Sequence, residues 1–312
     1  MDVVLLFPGQ GSQKPGMGKD LHDAFPEARA VFEEADAALG APLSTLCFDG
    51  PAEELTLTHN AQPALLAHGA AVWATVRTRL LPHTRAAAGH SLGEFTAYHA
   101  AGTLGLADAL RLVRRRGELM YESGVRRPGA MAALLGDLQE PVESICARAT
   151  AEAGLVSPAN YNCPGQIVIS GEESGVERAM VLAKEAGAKR AMRLNVSGAF
   201  HSALMEPALE GLTDAVNAAP FSNPRFPVFA NVNAEAVTLA DRARQLLLQQ
   251  LTRPVRWTDE VQALAKQHTD ATFVEMGPGS VLSGLVKKIV PGARTMTCGT
   301  VTEVNQLLEL AA

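Results

Sequence analysis

A serine stands between two glycines in the segment Gly89-His90-Ser91-Leu92-Gly93. The spacing Gly-x-Ser-x-Gly between a strand and a helix is typical of a nucleophile elbow, a tight turn whose small flanking residues leave the serine hydroxyl accessible. The N–H groups and positive dipole end of the following helix can stabilise an oxyanion. The pattern favours covalent acyl chemistry at Ser91. A glycine-rich turn required only for packing is the alternative.

A serine nucleophile needs a base, and the chain has eight histidines. His90 is next to Ser91, but on so tight a turn we expect its side chain to point away from the serine. His201 lies in the segment GAFHS (198–202), directly before apolar residues that recur at helical spacing, namely Met205, Leu209, Leu212 and Val216. The sequence makes His201 the candidate base, while a purely structural role for a single histidine stays open.

The elements around these residues alternate between short apolar strands and helices. The sequence predicts buried strands at Val3–Phe7 and 85–88, and helices at about 19–39, at about 62–81 and from Glu94 onward. This alternation indicates an α/β fold with a parallel sheet. We expect residues 1–127 and 198–312 to form this large, α/β-hydrolase-like subdomain, with the nucleophile elbow at Ser91.

The segment from 129 to 197 has a different pattern. Strands are predicted at 129–135, 155–160, 166–170 and 189–196, and helices at 140–153 and 172–186. The order βαββαβ is that of a ferredoxin-like unit. We therefore expect residues 128–197 to form a small inserted subdomain, with the α/β domain resuming after it.

The composition is that of a globular protein. Of 312 residues, 47% are hydrophobic and 19% are charged, which excludes a disordered chain. No apolar run approaches the roughly 20 residues of a membrane-spanning helix. The net charge of -6 disfavours a nucleic-acid binder.

The cysteines and the N-terminal residues indicate the cellular compartment. The four cysteines lie far apart without C-x-x-C spacing, so we expect buried, reduced thiols and neither a zinc site nor disulfides. The first residues predict a strand and no signal peptide. Together these features predict a cytoplasmic protein.

Six short motifs occur in order and span nearly the whole chain. They are FPGQGSQ (7–13), NAQPAL (60–65), GHSLGE (89–94), GAFHS (198–202), QLTRPVRW (250–257) and GPGSVL (277–282). Each motif alone is weak, but their joint occurrence by chance is negligible. Taken together, they resemble the malonyl-CoA:acyl-carrier-protein transacylase family.

The resemblance implies a serine–histidine dyad carried by Ser91 and His201, and no acidic third member. A backbone carbonyl at the position of Gln250 would orient the histidine ring, and the backbone N–H groups of Gln10 and Leu92 would form the oxyanion hole. The implied reaction is a ping-pong transfer through a malonyl-serine. It needs no metal and no redox cofactor, and the coenzyme A thioester is a substrate.

A malonyl group carries a carboxylate, which a guanidinium can bind bidentately. The run Arg114-Arg115-Arg116 lies on a predicted helix whose apolar positions are Leu106, Leu110, Val113, Gly117 and Met120. Arg115 points away from that face toward solvent, and the helical period does not choose between Arg114 and Arg116. The family resemblance selects Arg116, because the carboxylate-binding arginine of the family directly precedes a glycine.

The resemblance also implies three further substrate-binding residues. Phe200, before the histidine, is similar to the bulky residue of malonyl-selective members and would leave little room for an α-methyl branch. Asn160 and Gln166 match polar positions of the small subdomain that face the cleft. Either side chain can instead cap the hairpin between them.

The implied partners are malonyl-CoA and acyl carrier protein. Because that carrier is acidic and this chain is acidic overall, docking would need local basic patches. Candidates are Arg126-Arg127, Lys184, Lys189-Arg190 and Lys287-Lys288, which are otherwise ordinary solubilising charges. We expect a monomer.

The main functional prediction is malonyl transfer for fatty-acid biosynthesis. The alternatives are a free-standing acyltransferase that loads the carrier proteins of a polyketide synthase, a hydrolase that removes acyl groups from acyl carrier protein, and a catalytically silent scaffold. Arg116 argues against the hydrolase, since an editing enzyme for uncharged acyl chains gains nothing from a buried cation. The presence of both Ser91 and His201 argues against the scaffold.

Overall fold

The structure, a computed structural model, describes residues 1–196 and 198–310. Its strands form two β-sheets. In chain order the strands are β1 (Val3–Phe7), β2 (Thr84–Gly89), β3 (Ala130–Leu135), β4 (Val156–Cys163), β5 (Gln166–Gly171), β6 (Arg190–Arg193), β7 (Val228–Phe229), β8 (Ala236–Val237), β9 (Thr272–Met276) and β10 (Thr295–Cys298). The larger sheet has the order β10-β9-β1-β2-β7-β8, and the smaller sheet has the order β4-β5-β3-β6.

Helices connect the strands and cover them. In chain order they are α1 (Lys19–Ala24), α2 (Pro26–Leu39), α3 (Leu43–Asp49), α4 (Ala52–Thr56), α5 (Thr58–Leu80), α6 (Leu92–Ala100), α7 (Leu106–Arg126), α8 (Val142–Glu152), α9 (Glu173–Glu185), α10 (Leu209–Ala218), α11 (Ala240–Gln250), α12 (Trp257–Gln267), α13 (Val281–Ile289) and α14 (Val301–Leu310). Short 3₁₀ helices lie at Leu81–His83 and Ala203–Ala208. No helix in the described ranges is both long enough and apolar enough to cross a membrane.

The strand β1 lies inside the larger sheet and is buried on both faces, since each of its residues has 0% exposure. Val4 and Leu6 pack into the cluster that contains Trp257 of α12, whereas Leu5 and Phe7 belong to the opposite cluster, which includes residues of α2 and α5. Continuous burial of this kind is typical of a parallel strand between two helical layers. The predicted strand and α/β fold are confirmed.

The carboxyl ends of the central strands meet at one edge of the larger sheet. β1 pairs in parallel with β2 and with β9, and Phe7 lies opposite Gly89 in the register. The loops that follow these strands carry the motifs at 7–13, 89–94 and 277–282. Parallel strands thus bring three of the six motifs to the sheet edge where α/β proteins bind ligands.

The smaller sheet is antiparallel throughout its described pairings, and its elements follow one another as β3, α8, β4, β5, α9 and β6. Its own apolar cluster includes Ile145 of α8 and Val176 of α9. A backbone bridge between Asn160 and Val255 joins this sheet to the loop before α12. The edge strand β4 of the small sheet is thereby fixed next to the chain that leads into α12.

Several predicted boundaries were wrong. The single helix predicted at about 19–39 is broken at Phe25, which is extended (φ -122°, ψ 121°) because Pro26 disfavours a helical residue before it and begins α2. The helix predicted from 62 begins at Thr58, so that Pro63 lies inside it. The strand predicted at 189–196 is shorter, and the predicted subdomain boundary at Ser197 lies outside the described residues.

Candidate active site

The segment between β2 and α6 forms a tight turn with Ser91 at its apex. Ser91 has φ 51° and ψ -103°, a conformation that residues with a side chain rarely adopt. The flanking glycines are required by space. A Cβ at Gly89 would lie 2.0 Å from the backbone of Gly93, and a Cβ at Gly93 would lie 1.9 Å from the carbonyl oxygen of Phe7. The turn can therefore form only with these two glycines.

Ser91 and His201 lie within hydrogen-bonding distance although they are 110 positions apart in the chain. The distance from Ser91 Oγ to His201 Nε2 is 2.8 Å. The other ring nitrogen, Nδ1, lies 2.9 Å from the backbone carbonyl oxygen of Gln250. A carbonyl only accepts, so Nδ1 carries the proton and Nε2 is left as the acceptor for the serine hydroxyl. The arrangement can deprotonate Ser91 without a buried acid beside the histidine.

The guanidinium of Arg116 lies next to the same hydroxyl. Its Nη2 donates to Ser91 Oγ at 3.1 Å and to Gln250 Oε1 at 2.8 Å, and its Nη1 donates to Gln62 Oε1 at 2.7 Å. Arg116 is only 1% exposed. None of the ion pairs in the described part of the chain includes it. Two amide side chains thus fix a buried cation and leave its charge for a ligand.

The close packing of α7 against α5 brings Arg116 to this depth. A Cβ at Gly117 would lie 2.6 Å from the Cα of His59, so a larger residue would push the two helices apart. The neighbouring arginines point elsewhere. The side chain of Arg115 is 45% exposed and pairs with Glu118, while Arg114 donates to Asn60 Oδ1 at 2.7 Å. Of the three arginines, the structure brings Arg116 to Ser91.

Burial controls protonation at the site. It lowers the pKa of His201 to about 3, and the charge of Arg116 adds to this effect. It also lowers the pKa of Arg116 to about 10, which keeps the guanidinium charged at neutral pH. Burial raises the pKa of Glu94 to about 7 and that of Glu260 well above its ordinary value. The site therefore combines a neutral imidazole with a permanent positive charge.

A cavity of about 340 Å³ opens onto the dyad. Ser91, His201 and Arg116 form its polar floor, and much of the remaining lining is apolar, including Met120, Met131, Leu194, Val196 and Phe200. The cavity lies between the edge of the larger sheet and the smaller sheet. It has the size and mixed lining of a small-molecule site.

The structure places most of the sequence-predicted binding residues around this cavity. Gln10, the third residue after β1, and Leu92, the first residue of α6, both line it. Phe200 and Asn160 line it as well. The two predicted oxyanion positions and two of the predicted substrate-binding residues thus line the same cavity as Ser91.

Gln166 does not belong to this cavity. It begins β5, two residues before Val168, which pairs with Asn160, and it therefore lies about 7 Å closer to the hairpin turn. Its side chain accepts a weak hydrogen bond from the Cys163 thiol at 3.9 Å. The alternative role at the hairpin fits this position, whereas the predicted substrate contact would require a substrate that extends beyond the cavity.

His90 has its own partners on the turn. Its Nε2 lies 2.8 Å from Asn162 Oδ1, and its ring packs against Trp257 at a centroid distance of 5.7 Å. Burial lowers its pKa. His201 and not His90 is therefore the histidine that contacts Ser91.

The four cysteines, predicted as buried thiols, are free and buried.

Sequence reasoning missed a buried polar group of residues behind the serine turn. Gln250 Nε2 donates to Glu94 Oε2 at 2.7 Å, and Asn231 Nδ2 donates to Glu260 Oε1 at 3.0 Å. Gln62, Asn231 and both glutamates are at most 1% exposed. Glu94, directly after the second glycine of the serine motif, was the one signal in the sequence, since a buried acid so close to a reactive hydroxyl needs partners.

Comparison with known sequences gives consistent matches. The family described as acyl transferase domain matches residues 4–303. The malonyl CoA-acyl carrier protein transacylase of Bacillus subtilis (strain 168) is 49% identical over 288 residues, which are 92% of this chain and 90% of that protein. The enzyme of the same name from Escherichia coli (strain K12) is 43% identical over 304 residues, 97% of each chain.

Comparison with solved structures agrees. The acyl-carrier-protein S-malonyltransferase of Bartonella henselae matches with a TM-score of 0.94 at 43% identity, covering 100% of this chain and 99% of that one. A malonyl-transacylase in complex with a type II polyketide synthase acyl carrier protein also matches with a TM-score of 0.94, at 40% identity, covering 99% of this chain and 100% of that one.

Proposed function

The chain belongs to the acyl transferase family, among the malonyl CoA-acyl carrier protein transacylases, and from this premise we propose that it works through a covalent malonyl-Ser91 intermediate. It is an acyltransferase that moves a malonyl group from malonyl-CoA to acyl carrier protein and supplies fatty acid synthesis. The observation that carries the proposed chemistry is the contact of Ser91 Oγ with both His201 Nε2 and Arg116 Nη2, at 2.8 and 3.1 Å.

Arg116 determines which acyl group is transferred. A malonyl carboxylate that enters the cavity must give up water, which is unfavourable unless it finds an opposite charge. The buried guanidinium supplies that charge within a few ångströms of the nucleophile. An acetyl group has no carboxylate to pair with the guanidinium. The contact that binds the malonyl carboxylate therefore also favours malonyl over acetyl groups.

In the first half-reaction the Oγ of Ser91 attacks the thioester carbonyl while its proton passes to His201 Nε2. The backbone N–H groups of Gln10 and Leu92 stabilise the oxyanion. When the C–S bond breaks, His201 returns the proton to the coenzyme A thiolate. The product is a malonyl ester on Ser91 and free coenzyme A.

In the second half-reaction the pantetheine thiol of acyl carrier protein takes the place of coenzyme A. His201 accepts the thiol proton as the sulfur attacks the ester carbonyl. The C–O bond then breaks, and Ser91 Oγ recovers its proton from His201. Throughout, the carbonyl of Gln250 holds the ring so that Nε2 faces the serine. No metal or redox cofactor takes part in these steps.

Two structural assignments support this chemistry. The Ser91 turn is a nucleophile elbow, as its strained backbone and its flanking glycines indicate. The larger sheet is the core of an α/β-hydrolase-like subdomain. The smaller sheet with α8 and α9 is an inserted ferredoxin-like subdomain, because its element order is βαββαβ and its strands are antiparallel. The cavity lies where the two meet.

Acyl carrier protein is the macromolecular partner, and its docking site stays a prediction. The basic pairs at 126–127, 189–190 and 287–288 are exposed, as docking to an acidic carrier requires. The monomeric state and the cytoplasmic location also stay predictions.

A second candidate is the loading of carrier proteins of a polyketide synthase. The structural match to a malonyl-transacylase in complex with a type II polyketide synthase carrier favours it. Both functions use the same chemistry at Ser91. Relative transfer rates to carrier proteins of the two kinds would separate them.

The covalent step is tested by mixing the protein with labelled malonyl-CoA and measuring label on the chain by intact-mass spectrometry. We expect stoichiometric labelling of the wild type and of Ser222→Ala, an exposed serine used as the control. Ser91→Ala should take up no label. Labelling of Ser91→Ala at the normal rate would exclude Ser91 as the nucleophile.

A further inference from the structure

Asn231, in the loop between β7 and β8, is fully buried directly beneath the serine turn. Its Oδ1 accepts from the N–H of Ser91 at 2.8 Å, and its Nδ2 donates to the carbonyl oxygen of Gly89 at 2.8 Å. One carboxamide thus holds the backbone on both sides of His90. No group on the turn itself makes these two contacts.

Asn231 is itself held from several sides. Its N–H donates to Glu94 Oε2 of α6 at 3.1 Å, and its Nδ2 also lies 3.0 Å from Glu260 Oε1 of α12. Its carbonyl oxygen accepts from the N–H of Arg256 at 2.9 Å. The two backbone contacts hold the main chain of Asn231 in place, and the contact with Glu260 directs Nδ2 to the side of the carboxamide that faces Gly89 O.

The same asparagine connects the serine to the histidine. Gln250 Nε2 donates to Ser91 O at 3.0 Å and approaches Asn231 Oδ1 at 3.3 Å. The backbone carbonyl of Gln250 is the acceptor for His201 Nδ1. Ser91 and the residue that orients His201 are therefore both fixed relative to one buried side chain.

A serine at φ 51° and ψ -103° keeps that conformation only where neighbouring groups hold it there. We propose that Asn231 is a positioning residue that holds the Ser91 backbone in this conformation and so keeps Oγ within reach of His201. This inference rests on the proposed role of Ser91 as nucleophile. Asn231 is not among the residues that line the cavity, so it acts through Ser91 and not on the substrate.

The test is single-turnover malonylation of Asn231→Ala, with the rate constant and the KM for malonyl-CoA measured separately. A displacement of the nucleophile of about 1 Å slows a reaction by about 100-fold, and we expect a loss of this size in the rate constant. The KM should stay close to that of the wild type, because Arg116 and the cavity lining are unchanged. A loss of rate without a loss of binding is not expected of a residue that only supports the fold.

Asn233→Ala is the matched control, because Asn233 lies two residues away in the same loop and, among the described residues, its side chain makes its hydrogen bonds with Glu235. Its rate constant should equal that of the wild type. If Asn231→Ala does not fold at the assay temperature, Asn231→Leu decides by the same criteria, because leucine fills a similar volume but can neither accept from Ser91 nor donate to Gly89.

Two results would overturn the inference. One is a folded Asn231 variant that is malonylated as fast as the wild type. The other is a variant whose KM rises by as much as its rate falls, which would indicate a damaged binding site. Ser91→Ala, measured in parallel, distinguishes a failure of this inference from a failure of the proposed function. If Ser91→Ala is labelled, Ser91 is not the nucleophile, whatever the result for the Asn231 variants.

Discussion

A Cβ at Gly93 would lie only 1.9 Å from the carbonyl oxygen of Phe7. The first turn of α6 thus rests directly on the end of β1, and the chain that leaves Phe7 leads at once to Gln10 at the cavity. This contact fixes the distance between the two loops that would form the oxyanion hole. The second glycine of the serine motif is required by the neighbouring strand as much as by the turn.

We therefore expect Gly93→Ala to lower both stability and activity. Overpacking a well-packed site typically costs about 1–3 kcal/mol, and here the opposing atom is backbone, which yields little. Thermal unfolding measures the cost. Gly284→Ala is the control, because its Cβ meets nothing within 4 Å in α13 and should be neutral or stabilising. Equal melting temperatures for the two variants would contradict the packing argument.

Replacement of Arg116 by alanine should lower the preference for malonyl-CoA over acetyl-CoA and should not abolish acylation of Ser91. Truncating one partner of a buried charge pair costs about 2–5 kcal/mol, so kcat/KM for malonyl-CoA should fall by about 30-fold or more. Labelling by acetyl-CoA, which has no carboxylate to pair, should persist or rise.

Arg115→Ala is the control for that experiment, because its side chain is 45% exposed on the same helix and should leave both activities unchanged. The measurement is intact-mass labelling with a panel of acyl-CoAs. If malonyl and acetyl labelling fall together in Arg116→Ala, the arginine supports the fold and does not select the acyl group.

The sequence predicted those parts of the site that a local residue pattern or the family resemblance indicates. The spacing of Gly89, Ser91 and Gly93 predicted a turn because steric demand is local. The helical period left Arg114 and Arg116 equivalent, since both flank the apolar face. Only the packing of α7 on α5, which depends on Gly117, separates them in space.

The buried group of residues behind the turn could not be predicted in this way. Asn231 lies 140 positions from Ser91, in a loop where neither helical nor strand periodicity marks a buried residue. The very short strands β7 and β8 were missed for the same reason, because two residues carry no period. Such contacts form only when distant segments of the chain pack together, so the sequence of one segment does not indicate them.

The reactivity of Ser91 should depend little on pH across the neutral range. Burial lowers the pKa of His201 to about 3, so its ring is neutral and able to accept a proton well below pH 6. A histidine with an ordinary pKa near 6.5 would lose about 10-fold of its neutral form at pH 5.5. Labelling by a fluorophosphonate, which needs no carboxylate contact, measures this reactivity at each pH. A decline with a midpoint near pH 6.5 would contradict the burial argument.

Asn160 and Gln166 are both predicted from the sequence to bind substrate, but their replacement by alanine should affect the KM for malonyl-CoA differently. Asn160 lines the cavity, and Asn160→Ala should raise the KM for malonyl-CoA several-fold, as expected for one lost hydrogen bond of about 1 kcal/mol. Gln166 lies at the hairpin turn, and Gln166→Ala should leave the KM unchanged. Steady-state kinetics of the two variants decides. An equal effect of both would mean that the substrate extends along β5 beyond the cavity.

The buried carboxyl of Glu94 should make stability depend on pH. Its pKa is about 7 in the folded chain against 4.5 without burial, so between these values the folded chain holds a proton that the unfolded chain has released. The free energy of unfolding contributed by this group therefore falls as the pH rises from 4.5 through 7. Glu94→Gln removes the titration while its amide oxygen can still accept from Gln250 and Asn231. Relative to the wild type, this variant should gain up to about 3 kcal/mol between pH 5 and pH 8 in denaturant unfolding. A stability difference between the two proteins that does not change with pH would show that Glu94 stays ionised in the folded chain.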